Sequence, residues 1–471
     1  MRLQLPQSAI RAIVTAAAML SALWLGQTLV EMPMRLITIA GGLLVMVACL
    51  TNRWLGLLLL LSIAPFYGFL RFVIELSPTQ ILFKEFMIVL ITAGWLIEDI
   101  VIKREKMIAN RISPLLGMFL AVIFVQYLRS PDPMQAMYGL RVYVTYVPVF
   151  FVLLTEQPSE RWIKIAVTLI VAATTVTLIY GFWQSAVGLE RLKELGLAKA
   201  GPNISAIGVI RVFSTYAGPE YFGLNLVLQM MVLSGVLPSL RRRWVKVACF
   251  ALIIAMSALL LLTLYRSLWI MAIISFGALL FLTRRYAYVL LVAAALVGVM
   301  FFLPDYIKTR AEMSFGQEDE SYQIRRALYL NLNVANVANN MIGYGVGSSL
   351  GLETFQSRTG RRSVYKLLGG GITESWLASV SIELGLLGLI VYVWMMIRII
   401  AQSVAVYHSG LPPLWRGLGV GFASFAIGML VLSAFFMAPT LLPAGDLYFW
   451  FMTGLMVVLG RRAEELSEPP A

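Results

Sequence analysis

The chain of 471 residues is 60% hydrophobic and only 13% charged, with a mean hydropathy of +0.83, about half the charge fraction of a soluble globule. Its formal net charge is +13, yet in so apolar a chain the basic residues read as topogenic anchors at membrane faces, not as a nucleic-acid footprint. Cys49 and Cys249 lie inside apolar runs and His408 is the single histidine, which excludes a disulfide framework and a zinc cluster.

Apolar windows predict about fourteen membrane-spanning helices. Helix is the expected state because backbone in lipid must satisfy its own hydrogen bonds, and the runs are too long and continuous for a transmembrane barrel. The expected fold is an all-α integral membrane protein, a polytopic helical bundle over residues 1–471. The first run, Ala12 to Val30, follows Arg2 and Arg11 and is immediately succeeded by another span, so it reads as a retained helix and not a signal peptide. The expected span centres lie near Ser21, Val45, Ile63, Val89, Phe119, Val149, Ala172, Leu228, Ile254, Phe276, Ala294, Leu387, Phe425 and Thr453.

With the first residue inside the cell, the inner loops collect Arg53, then Lys103, Arg104, Lys106 and Arg111, then Arg161 and Lys164. Further along they collect Arg241, Arg242, Arg243 and Lys246, then Arg284 and Arg285, Arg398 and Arg416, and Arg461 and Arg462. Every expected cytoplasmic loop is basic, which fixes the register of spans and puts both termini in the cytoplasm. Four outward segments are longer than turns: Arg71 to Gln80, Arg129 to Arg141, a smaller loop over 188–218 and a large loop over 304–371. They hold arginines against the topological bias, which points to anion binding. Within the large loop, Ser321 to Met341 has the pattern of a helix lying on the membrane surface.

The polar candidates concentrate late in the chain. Arg266 sits between two long apolar runs; it fits a snorkelling side chain or a fork that binds two phosphate oxygens. Arg325 and Arg326 follow Glu318-Asp319-Glu320 and fit either a solvated charge run or a phosphate clamp. Gly343, Gly345 and Gly347 mark a turn; no strand precedes them as a nucleotide fingerprint requires, and an approach of their backbone to a polyphosphate is a secondary reading. Thr373 is a candidate helix cap, with Glu374 in the first turn beyond it as a dipole-favoured carboxylate or a general base. Glu383 lies well inside a span, where a charge needs a partner, and reads as structural; Lys84-Glu85 reads as a similar internal pair. Tyr216, Tyr221, Tyr344 and Trp376 are candidates to stack on sugars or to form an interfacial belt. Arg211 and Glu220 are weaker site candidates.

Taken together, these residues resemble the O-antigen ligase and polysaccharide polymerase superfamily of bacterial inner-membrane glycosyltransferases. The resemblance rests on three blocks: Leu261-Leu262-Thr263-Leu264-Tyr265-Arg266; Arg326 followed by Ile342-Gly343-Tyr344-Gly345; and Thr373-Glu374-Ser375-Trp376-Leu377 leading to Glu383-Leu384-Gly385-Leu386-Leu387-Gly388. The N-terminal half matches only as a hydropathy profile. The resemblance implies a GT-C-like bundle and metal-independent, inverting transfer of a glycan from undecaprenyl diphosphate at the periplasmic face, with no cofactor. Arg266 and Arg326, with Arg325 beside it, would hold the diphosphate and Glu374 would be catalytic. Glu374 stands where the ligases carry histidine, which favours a polymerase of O-antigen or exopolysaccharide over a ligase acting on lipid A core. The implied partners are the lipid-linked donor, an acceptor glycan, membrane lipid and a chain-length regulator, with no nucleic acid. A polysaccharide or lipid transporter is the alternative from another class, supported by the intramembrane charges.

Overall fold

A computed structural model describes residues 49, 52–72, 83–130, 132–195, 205–206, 209–284, 341–349, 375–434 and 443–467. The helices are α1 (Arg53–Ile63), α2 (Tyr67–Phe72), α3 (Phe83–Trp95), α4 (Ser113–Arg129), α5 (Pro133–Val144), α6 (Val147–Glu156), α7 (Glu160–Glu194), α8 (Pro219–Val236), α9 (Arg243–Leu262), α10 (Arg266–Thr283), α11 (Trp376–His408), α12 (Pro413–Ser433) and α13 (Pro443–Ser467). Two-residue strands β1 (Ser205–Ala206) and β2 (Val209–Ile210) pair antiparallel. Among the described residues, eight helical segments are long and apolar enough to cross a membrane. The protein is thus an all-α membrane protein in character. Every expected span centre that falls among the described residues lies in a helix; Ser21, Val45 and Ala294 lie outside them.

The chain divides into two units, Met1–Leu60 with Pro78–Arg104, and Leu61–Ser77 with Glu105–Ala471. In the smaller unit, α3 runs into a π-helix over Leu96–Lys103. There the buried Asp99 binds both guanidinium nitrogens of Arg53, one at 2.9 Å. Arg53 also meets Glu98 at 3.3 Å, and Lys103 meets Glu98 at 2.8 Å. Lys84 and Glu85 pair at 3.5 Å, as the internal-pair reading expects.

The larger unit is layered by burial. In α8 and α12, 78% of the apolar window is buried, against 22% in α9 and 33% in α10. The first two are therefore central and the second two carry the apolar periphery, where Trp244, Val247, Ile273 and Phe281 are exposed. Glycines let the central pair meet backbone to backbone, as small residues do between membrane helices. A Cβ on Gly235 would stand 2.3 Å from the Gly417 carbonyl, and one on Gly421 2.5 Å from that of Met231. These contacts set α8 and α12 antiparallel. Gly428 of α12 faces Met271 and Ser275 of α10, and Gly223 of α8 faces Leu268. Ser375, the cap of α11, donates to the Ser433 carbonyl at 3.4 Å. The starts of α8, α10 and α11 and the end of α12 therefore gather at one end of this unit.

One loop is shorter than the sequence predicts. Asp132 caps α5 by accepting from the Met134 and Gln135 amides, with Pro133 in the first turn, so Arg141 is helical and not in a loop. Helix α7 breaks at Gly188, which takes φ 80° and ψ 170°, the residue at which the expected 188–218 loop begins, and a short second helix runs from there to Glu194. Gly421→Val should lower the melting temperature in detergent markedly, because overpacking a close-packed contact costs about 1–3 kcal/mol. Gly410→Ala, whose Cβ would meet nothing within 4 Å, should leave it unchanged.

Candidate functional site

Helix α11 breaks at Gly385, where φ is 71° and ψ −170°. A break deep in an apolar helix frees backbone groups that lipid cannot satisfy. The segment Met341–Ser349 satisfies them here. The Tyr344 amide donates to the Ile382 carbonyl at 2.8 Å and the Gly345 amide to that of Glu383 at 3.2 Å, while the Leu386 amide donates to Met341 at 2.9 Å.

The same segment is held from the opposite side by α4 and α5. Gln126 donates its side-chain amide to the Ile342 carbonyl, and its own carbonyl accepts from Val346 at 3.3 Å. The Ser130 hydroxyl donates to Val346 at 3.1 Å, and the Gln135 side chain to Gly347 at 2.8 Å. Gly343, Gly345 and Gly347 all have left-handed φ, between 85° and 101°. Their missing Cβ atoms would stand 2.6 Å from the Gly385 nitrogen, 2.8 Å from the Ser130 Cα and 2.3 Å from the Gln135 carbonyl. Only glycine fits both the conformation and the space. The amides of Tyr344, Gly345, Val346, Ser348 and Ser349 are all engaged within the protein. The turn is therefore a strap and not a phosphate cradle, which corrects the secondary reading of the glycine run.

Glu383 completes the strap. It is 2% exposed, and its Oε1 accepts from both the amide and the hydroxyl of Ser349. The Tyr143 hydroxyl lies within electrostatic reach without a hydrogen bond of regular geometry. Glu383 thus has the partner that a charge inside a span needs, and among the described residues that partner is Ser349 of the strap.

A second cluster lies where α9 turns into α10. Leu264 takes φ 54°, and Thr263 receives the Tyr265 amide at 3.3 Å, so Arg266 opens α10. The loop ahead of α8 packs onto this turn. The Val212 amide donates to Leu262 at 3.0 Å, and the Arg211 guanidinium lies 5.7 Å from the centre of the Tyr265 ring. Glu220, in the first turn of α8, is within electrostatic reach of Arg211. Buried Gln184 of α7 fixes the loop by accepting from the Phe213 and Ser214 amides at 2.9 and 2.8 Å. Tyr216 in this loop is buried, and burial holds its phenol well above the ordinary range, so it stays neutral.

The structure thus brings Arg211, Glu220 and Arg266 to the bundle end that also carries Trp376 and the strap with Tyr344. Trp376 is buried, its ring 5.2 Å from Tyr143 and 6.4 Å from Tyr392. Tyr216 likewise packs 5.5 Å from Phe222; neither ring face is open. Arg325, Arg326, Glu374 and residues 321–340 of the expected surface helix lie outside the described residues. Helix α11 begins at Trp376 with Ser375 as its cap, accepting from the Ala378 amide; the candidate cap Thr373, like Glu374, lies outside the described residues. Sequence reasoning missed Gln126, Gln135 and Gln184. The available signal was a lone glutamine within an apolar run (Gln126, Gln184), which must find a partner once buried.

No protein-family model matches the chain, and no curated protein is significantly similar to it.

Glu383→Ala should release the strap, raising proteolysis and amide exchange across 341–349 by about tenfold or more, since an orphaned donor costs about 1–3 kcal/mol. Glu383→Gln keeps the accepting oxygen and should behave close to wild type in the same measurement.

Proposed function

We propose that this chain is a polymerase of bacterial surface polysaccharide, an inverting glycosyltransferase of the inner membrane with its site at the periplasmic face. In this reading the acceptor glycan hydroxyl attacks the anomeric carbon of a glycan carried on undecaprenyl diphosphate. The new glycosidic bond forms as the sugar–diphosphate bond breaks, and the diphosphate leaves on its lipid. Glu374 takes the hydroxyl proton from the face opposite the leaving group, as the base of an inverting glycosidase does for water. Arg266, with Arg326 and Arg325, receives the charge that builds on the diphosphate. Fixed guanidinium groups in a partly dehydrated site stabilise that charge better than water does. Arg211 and Glu220 line the same mouth.

The observation that supports this reading most is the placing of Arg211, whose guanidinium lies 5.7 Å from the centre of the Tyr265 ring, beside the turn in which Arg266 opens α10, at the bundle end where the strap meets α11. Both arginines carry charge on a helical membrane protein at one mouth, which suits a lipid-borne diphosphate. The strap, the described part of the 304–371 segment, lies at the same end, and in this reading that segment roofs the glycan. The remaining spans of a fourteen-helix bundle, the cytoplasmic termini and the chain-length regulator belong to the proposal.

The test is polymer synthesis by the purified chain from lipid-linked repeat units, with no energy source added. Arg266→Ala should lower elongation by about a hundredfold or more and Glu374→Gln by about 10²–10⁴-fold, with melting temperatures unchanged. Normal polymer length in both variants would contradict the assigned roles. In cells, loss of the gene should leave single repeat units on the surface; long glycan stranded on the lipid carrier would instead identify a ligase.

A further inference from the structure

The end of the larger unit opposite the strap holds a cavity of about 610 Å³ between α8, α9, α10 and α12. Its size is that of a small-molecule pocket. Its rim is cationic: Lys246 in the first turns of α9 and Arg416 in those of α12. The Arg416 Nε donates to the Tyr407 carbonyl at 2.9 Å, and its guanidinium lies 5.8 Å from the centre of the Tyr407 ring, which also lines the cavity. Among the described residues neither cation pairs with a carboxylate, and no acid lines the cavity.

Inward from this rim the walls turn apolar. Phe250 and Ile253 stand one and two turns beyond Lys246, and Phe276 and Leu279 face them from α10. Seven helical residues rise about 10 Å, so the cavity runs from a charged mouth into a greasy interior over the depth of a lipid headgroup and its first methylenes. The neighbouring outer surface is itself apolar, with Trp244, Val247 and Phe281 exposed, as expected where a cavity opens towards the bilayer. Arg241, Arg242 and Arg243 add exposed positive charge beside the mouth.

We propose that this cavity binds one anionic phospholipid, its phosphate between Lys246 and Arg416 and an acyl chain against Phe250, Ile253, Phe276 and Leu279. The charge pattern selects the headgroup and the apolar depth selects the tail. Lipid in this position fills the gap between the central helices α8 and α12 and the peripheral helices α9 and α10. The site is independent of the glycan reading, because it lies at the other end of the bundle from Arg266.

The test is native mass spectrometry of the full chain with dioleoyl phosphatidylglycerol or dioleoyl phosphatidylcholine. The wild type should retain phosphatidylglycerol roughly tenfold better than phosphatidylcholine, on the scale of one to two basic contacts to an anionic lipid. Lys246→Gln, at an exposed position whose hydrogen bond among the described residues is made by its backbone amide, should erase most of that preference. Arg416→Lys keeps the charge and should retain it. Leu280→Trp, which fills the cavity, should weaken retention of both lipids. Equal retention of the two lipids by wild type, or an undiminished preference in Lys246→Gln, would overturn the proposal. So would displacement of the lipid by inorganic phosphate with no effect of Leu280→Trp, because the cavity would then recognise phosphate alone.

Discussion

The larger unit depends on one constraint, the hydrogen bonds left open where α11 breaks at Gly385. In an apolar surrounding those groups have no water to turn to, and each one unmet costs several kcal/mol. The strap over 341–349 meets them with its own backbone, and three glycines let it come close enough to do so. Gln126, Ser130 and Gln135 then bind the far edge of the strap. The result ties α4, α5 and α11 together through a segment that is not helical. Glu383 adds a buried side-chain anchor at Ser349, so a single broken helix fixes the floor on which the polar end of the bundle is built.

The second organising feature is the polarity of the bundle. The glycine contacts of α8 with α12 and of α12 with α10 set the helices antiparallel. This places Arg211, Glu220 and Arg266 with the strap, and Lys246 and Arg416 at the other end. The two ends differ in chemistry. At the first, arginine and glutamate sit among buried aromatic rings and engaged backbone. At the second, two cations frame an apolar cavity with no acid in its lining. A diphosphate carried on lipid suits the former in our proposal, and a resident phospholipid suits the latter.

Much of the helical framework was legible from sequence, because long apolar windows have few other ways to satisfy their backbone. Where the windows fell among the described residues, helices stand there. Loop ends were less legible. Helix α5 starts at Pro133 because Asp132 caps it, a short-range signal hidden beneath the apolar pattern, and beyond the break at Gly188 the chain resumes a helix to Glu194. The glycine run was recognisable as a turn, but its task depended on Gly385, some forty residues away in sequence, and pairwise distance in space cannot be read from either motif alone. The buried glutamines had a visible signal, a polar side chain within an apolar run, although their partners are loop amides and carbonyls that composition does not encode. Arg266 and Arg211 were named independently from sequence; that Arg211 packs on the ring of Tyr265, the residue before Arg266, required the fold.

The central claim is that the Arg266 end of the bundle receives a lipid-borne diphosphate. The most direct measurement is an experimental structure of the full chain with undecaprenyl diphosphate bound. The account predicts the diphosphate within hydrogen-bonding distance of Arg266, with Glu374 on the side of the site away from the leaving group. A diphosphate seated at the Lys246 and Arg416 end, or Glu374 remote from Arg266, would contradict it.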